Sequence, residues 1–120
     1  MPQHLFQSVF PITCDICTHA IRDANQGMLM WARDGKAGKV TQALIVHNPG
    51  HAPECNLAAP GGVRLDTIPL WEVTDVGGLV MLCENIKSEP DSAAATAEVI
   101  QRLHVPGYDR IRFLDKCNKA

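Results

Sequence analysis

The chain contains no run of basic residues and no apolar stretch long enough to cross a bilayer. Its 11 Lys and Arg are outnumbered by 13 Asp and Glu, for a formal net charge of −2. That balance disfavours sequence-independent binding to nucleic acid, which depends on a basic surface. The opening segment MPQHLFQSVF carries neither the basic flank nor the continuous apolar block of a secretory signal. Five cysteines are an odd number, so no disulfide framework is expected, and a cytoplasmic protein is the natural reading. No His-x-Glu stands ahead of a Pro-Cys-x-x-Cys pair, which removes the zinc-deaminase arrangement, and no catalytic residue is assigned.

What is present is an ordinary globular composition, 46% hydrophobic and 20% charged over 120 residues, enough for one domain with a real core. We expect a single α+β domain spanning 1–120. Residues 1–56 form a β half built on a cysteine knuckle, 57–67 a loop, and 68–117 a helical half packed against it. LFQSV (5–9) reads as a short strand. MLMWA (28–32) is apolar throughout, as in a strand covered on both faces. Asp34-Gly35 is a hairpin signal, and VTQALIVH (40–47) returns as the partner strand. IPLWEV (68–73) reads as a short helical turn. Thr74 or Asp75 is placed to cap a helix over 76–86 whose buried stripe is Val76, Val80 or Leu79, Cys83 and Ile86. Residues 88–104 read as the best helix, with Ser88 as cap, Pro90 in its first turn and Ala93, Ala97, Ile100 and Leu103 inward. A last helix over 107–117 turns Ile111 and Leu114 inward, with Asp109, Arg110 and Arg112 on a solvated face. Trp31 and Trp71 are both expected in the core.

The chemistry-bearing pattern is Cys14-x2-Cys17, then His47, then Cys55. Zinc takes four thiolate or imidazole ligands in a tetrahedron, and a Cys-x2-Cys turn supplies two of them from one tight loop. A hairpin that leaves the knuckle and returns at His47 brings a third ligand back beside the first two. Cys55 completes a Cys3His set for Zn2+. His51 is the alternative to His47, since HAPEC gives it a His-x3-Cys spacing with Cys55. His47 is preferred because it ends a strand, a more rigid position. The loop NPGHAPECNLAAPGG (48–62), with three prolines and three glycines, also needs an anchor that a metal crosslink would provide.

Two enzymatic alternatives stand beside this. A thioredoxin-like dithiol oxidoreductase would use LFQSVFPI as a strand and CTHAIRDA as the helix that lowers the thiol pKa, but the hairpin that follows is not its crossover helix. A metal-dependent hydrolase would need an open coordination position, which four protein ligands do not leave.

TCDIC followed by LIVHN and then Cys55 resembles zinc-knuckle domains of the zinc-ribbon and treble-clef type. It is also similar to small uncharacterised bacterial proteins that pair a CDIC opening with an IVH…C element and a helical tail. The resemblance covers residues 12–56 and implies Cys14, Cys17, His47 and Cys55 as ligands of a structural zinc. VHN is similar to part of the HNH nuclease motif, whose further Asn and His are missing here. The expected role is a binding or adaptor module whose partner is another protein. Nucleic acid is disfavoured by the charge, no membrane is involved, and the oligomeric state is open.

Overall fold

The computed structural model describes residues 9–34, 40–50, 55 and 63–118. The strand expected over 5–9, the turn after Asp34, the alternative ligand His51 and the side chain of Cys117 fall outside these residues or almost wholly so. Among the described residues the elements run β1 (Ile12–Thr13), β2 (Ala20–Ile21), β3 (Gly27–Asp34), β4 (Val40–His47), β5 (Val63–Pro69), α1 (Val76–Ser88), α2 (Ala93–His104) and α3 (Tyr108–Asn118). Antiparallel sheets occupy the N-terminal half and helices the C-terminal half, the α+β division the composition of the two halves implies.

β1 and β2 pair to each other in a small antiparallel ladder, with Ile12 opposite Ile21 and Thr13 opposite Ala20. The other sheet has three antiparallel strands in the order β4-β3-β5. Met28, Leu29, Met30 and Trp31 of the central strand are all buried, which explains why β3 shows no alternation of apolar and polar residues. The core continues through Ile45 and Val46 of β4 to Leu82 of α1 and to Val99 and Leu103 of α2. Full burial of one such aliphatic side chain contributes about 1.5–3 kcal/mol.

Strand β5 corrects the expected boundaries. Residues 63–67, assigned to a loop, and 68–69, assigned to a helical turn, form one strand paired along β3 from Met28–Pro69 to Asp34–Val63. A one-turn helix, Leu70–Glu72, follows it. VRLDTIP mixes charged and apolar residues because it lies along one side of the sheet only, and Pro69, which has no N–H to give, sits at its last position.

The helices lie at different rotations from those the apolar spacing suggests. Asp75 caps α1 as expected, its Oδ1 accepting from the Gly78 amide at 2.7 Å. The buried face, however, is Gly78 and Leu82, while Val76, Val80 and Cys83 are exposed. Gly78 sets this rotation, because a Cβ there would stand 2.4–2.6 Å from the Cα, C and O of Val73. Only a glycine lets the first turn of α1 sit against that backbone. Gly78→Ala is therefore expected to destabilise the protein by about 1–3 kcal/mol despite the better helix propensity of alanine. Urea denaturation measures this, and a neutral or stabilising effect would show that α1 is not seated there.

Ser88 ends α1 instead of opening α2, and a single turn, Pro90–Ser92, joins the two helices. In α2 the buried residues are Thr96, Val99, Arg102 and Leu103; Ala97 is exposed and Ile100 half-buried. In α3, Ile111 and Leu114 are 69% and 51% exposed, while Asp109 is buried. Of the residues expected on the solvated face Arg110 is exposed, but Asp109 is buried and Arg112 half-buried, because both are drawn into ion pairs beneath α3 while Ile111 and Leu114 face outward. Trp31 is in the core; Trp71 is exposed.

Candidate metal centre

The knuckle is built by backbone hydrogen bonds between the ends of a very short ladder. The Cys14 amide donates to the His19 carbonyl and the Thr18 amide to the Cys14 carbonyl, both at 3.0 Å. Thr18 adopts φ +64°, an uncommon region for a β-branched residue, and this reverses the chain immediately after Cys17. The residues after Cys17 thus form a turn and then a strand, where a dithiol fold of the thioredoxin type needs a helix.

Asp15 seats the knuckle on the sheet. Its amide donates to the Ile45 carbonyl at 2.9 Å, and its carboxylate accepts from the Ile45 amide at 2.8 Å. Ile45 is two residues before His47 on β4, and His47 stands opposite Gly27 in the β3–β4 register. Two steps along a strand keep the same face. Docking at Ile45 therefore brings Cys14 and Cys17 beside the imidazole of His47.

The four residues expected as ligands converge. One ligand atom from each of Cys14, Cys17, His47 and Cys55 lies within 4.8 Å of all the others. Sγ of Cys14 is 3.8 Å from Sγ of Cys55, and His47 Nδ1 lies 3.4 Å from Cys17 Sγ and 3.7 Å from Cys55 Sγ. A zinc tetrahedron with Zn–S about 2.3 Å and Zn–N about 2.0–2.1 Å has edges of roughly 3.8 Å between sulfurs and 3.6 Å between sulfur and nitrogen. These three of the six separations match those edges closely and the others lie within 4.8 Å, so the residues fit the ion. Cys14 and Cys55 are fully buried and His47 is 5% exposed, so the donor cluster is closed off from solvent on most sides.

The imidazole is oriented for the same task. Its Nε2 lies 3.1 Å from the Ala20 carbonyl, which can only accept, so Nε2 carries the proton and Nδ1 presents its lone pair to the thiols. Holding a ligating histidine by a hydrogen bond from its other nitrogen fixes tautomer and ring plane, as in characterised zinc sites.

The thiols are electrostatically frustrated without a cation. Burial alone would push the Cys14 thiol up. The backbone amides of Cys17, Ile16 and His47, with the Cys17 side chain, more than offset this and hold it down at about 7. Cys55 goes the other way. Burial, its contacts with Cys17 and Cys14 and their charges push it up to about 12. A metal-free site at neutral pH therefore keeps a proton on Cys55, and a divalent cation must displace it. Zinc uptake at about pH 7.5 is expected to release at least one proton, and affinity is expected to fall as pH drops through the range where Cys14 is reprotonated. Calorimetric titration in buffers of differing ionisation enthalpy measures the proton count; release of none would contradict a thiolate site.

Asp15 is the site residue that the sequence pattern did not single out. An acid between two prospective thiolates is unfavourable unless cations face it. Arg102 and Arg112 do: Arg102 Nη1 reaches its Oδ2 at 2.7 Å and Arg112 Nη1 lies 3.7 Å from its Oδ1. Cys83, on the outer face of α1, is no part of the cluster. Comparison with protein-family models, curated proteins and solved structures gives no match to this chain.

Proposed function

We propose that the protein is a small zinc protein in which Cys14, Cys17, His47 and Cys55 hold one Zn2+ as a structural crosslink of the zinc-knuckle, ribbon-like kind. The folded unit acts as a binding or adaptor module for another protein. The observation that carries this reading is the mutual approach of four donor atoms within 4.8 Å, with three of the six separations at tetrahedral edge lengths. Zinc would supply folding free energy here and no chemistry, because four protein ligands fill its coordination shell. What supports a protein partner is the surface: Trp71, Val76, Val80, Ile111 and Leu114 are exposed on a chain with a net charge of only −2. No helix among the described residues is long and apolar enough to cross a membrane.

The test is metal analysis of protein purified without added metal, followed by dialysis against a strong chelator. One equivalent of zinc, with loss of near-ultraviolet circular dichroism on removal, supports the reading. A metal-free protein whose spectrum and melting curve ignore the chelator overturns it.

A further inference from the structure

Beyond the four candidate ligands, the described residues hold a buried ionic cluster that starts inside the knuckle. Arg102 of α2 is 2% exposed, and all three of its guanidinium nitrogens are engaged. Nε donates to Asp109 Oδ1 of α3, Nη1 to Asp15 Oδ2 at 2.7 Å, and Nη2 to the Thr13 carbonyl at 3.0 Å. The second oxygen of Asp109 accepts the Thr13 amide at 2.8 Å. Arg112 of α3, besides facing Asp15, bonds Glu98 of α2 at 2.7 Å. Thr13 immediately precedes the first cysteine, and Asp15 lies between the two. The same few knuckle residues thus face the candidate metal on one side and α2 and α3 on the other.

This matters for α3 because, among its described residues, Asp109 is the only fully buried one, with Tyr108, Arg112 and Phe113 half-buried. Its two large aliphatic residues, Ile111 and Leu114, point mostly to solvent, and its buried anchor is the carboxylate of Asp109. The knuckle that receives that anchor has only two residues per strand, too little ladder to hold its shape unaided. Charge adds a second link. Three thiolates around a divalent cation carry net −1, and Asp15 adds another negative charge beside them. Arg102 and Arg112 face that charge, and each is shared with a further carboxylate, Asp109 and Glu98 respectively.

We propose that metal occupancy of the knuckle controls the docking of α3, transmitted by the Asp15–Arg102–Asp109 clasp, and that the clasp in turn tightens the metal site. Asp109 and Arg102 are positioning residues: they touch no metal and act through Thr13 and Asp15. The inference rests on the metal reading above. Because binding free energies are reciprocal, whatever factor the metal contributes to α3 docking the clasp contributes to metal affinity. Metal status is thereby relayed to the surface that α3 presents, where Ile111 and Leu114 lie.

Two measurements on the full chain test this. In competition with a chromophoric chelator, Asp109→Ala is expected to weaken zinc binding about 10-fold, the lower end of the roughly 10–100-fold loss typical of partners bonded directly to a ligand, because Asp109 acts one residue further out. Leu82→Ala, a core truncation in α1, should change it less than about threefold, because it perturbs stability without touching the clasp. In hydrogen exchange on the wild-type protein, removal of zinc should cut protection of α3 amides at least tenfold, and that of α1 amides far less. This second measurement decides the matter if Asp109→Ala does not fold. Equal weakening by Asp109→Ala and Leu82→Ala, or α3 protection that ignores zinc removal, overturns the clasp while leaving the metal site intact. A wild-type protein that binds no zinc overturns both.

Discussion

Replacing Cys14 by serine is expected to abolish tight zinc binding and to open the knuckle, costing the protein several kcal/mol of stability. Structural zinc in small sites binds with about 10–16 kcal/mol near neutral pH, and that binding energy is folding energy. A whole domain is stable by only about 5–15 kcal/mol, so forfeiting even a third of the metal's contribution is a large loss. Serine preserves shape but is a far poorer ligand. It also places a hydroxyl at a fully buried position that now faces two thiols. The damage should be greatest between Ile12 and Ile21, where the ladder is only two residues per strand and the cysteines themselves lie. The β3–β4–β5 sheet keeps its own core around Leu29, Trp31 and Ile45. Metal content after dialysis and the urea midpoint measure the two effects. Cys83→Ser is the control: an exposed thiol outside the cluster should change stability by no more than about 0.5 kcal/mol. If Cys14→Ser retained one equivalent of zinc and wild-type stability, Cys14 would not be a ligand.

The second large effect is expected at Arg102, for a different physical reason. Arg102→Met keeps most of the apolar stem but removes the cation that faces Asp109 and Asp15, whose side chains are only 4% and 12% exposed. A buried ion pair as a whole contributes little net stability, because desolvating both charges offsets their attraction. Deleting one partner is costly, since the other charge stays buried and unpaired, at about 3–5 kcal/mol. Here the loss of one arginine strips Asp109 of its cation, leaves Asp15 only the more distant Arg112 at 3.7 Å and orphans the Thr13 carbonyl, so a loss within that range is expected. The contrast is Lys87→Met. Its partner Glu84 sits three residues away on α1 with both side chains exposed, and such pairs contribute about 0–1 kcal/mol. Chemical denaturation of the two variants separates the cases. Equal, small losses would mean that the clasp is solvated.

The residues of the candidate site were legible in the sequence because each had a strong local constraint. Cys-x2-Cys is a tight turn almost by definition, and the β3–β4 hairpin follows from an uninterrupted apolar strand and a return strand ending at His47. Those two facts already place a histidine beside the knuckle. Cys55 was harder, since nothing local in HAPEC positions it; its membership is a tertiary fact, visible in the 3.8 Å approach to Cys14. The helices were legible as helices, and Asp75 as a cap, but their rotations were not. Apolar spacing at Val76, Val80 and Cys83 pointed to one face of α1, whereas the close approach of Gly78 to Val73 selected another. In α3 the same spacing pointed to Ile111 and Leu114, and the ionic anchor at Asp109 overrode it. Bonds that span 87 and 96 positions along the chain, Arg102 to Asp15 and the Thr13 amide to Asp109, leave no periodic signal. An acid lodged between two prospective thiolates is the one hint that a buried arginine had to meet it. Strand β5 was missed because Val63–Pro69 carries charges at Arg64 and Asp66; the first of these stands opposite Arg33 and the second is bonded to it.

The most direct measurement is X-ray absorption at the zinc edge on the purified protein, with metal content determined on the same sample. A structural Cys3His site predicts one equivalent of zinc with three sulfurs at about 2.3 Å and one nitrogen at about 2.0–2.1 Å. Substoichiometric metal, or a shell with fewer than three sulfurs and an added oxygen, would contradict it.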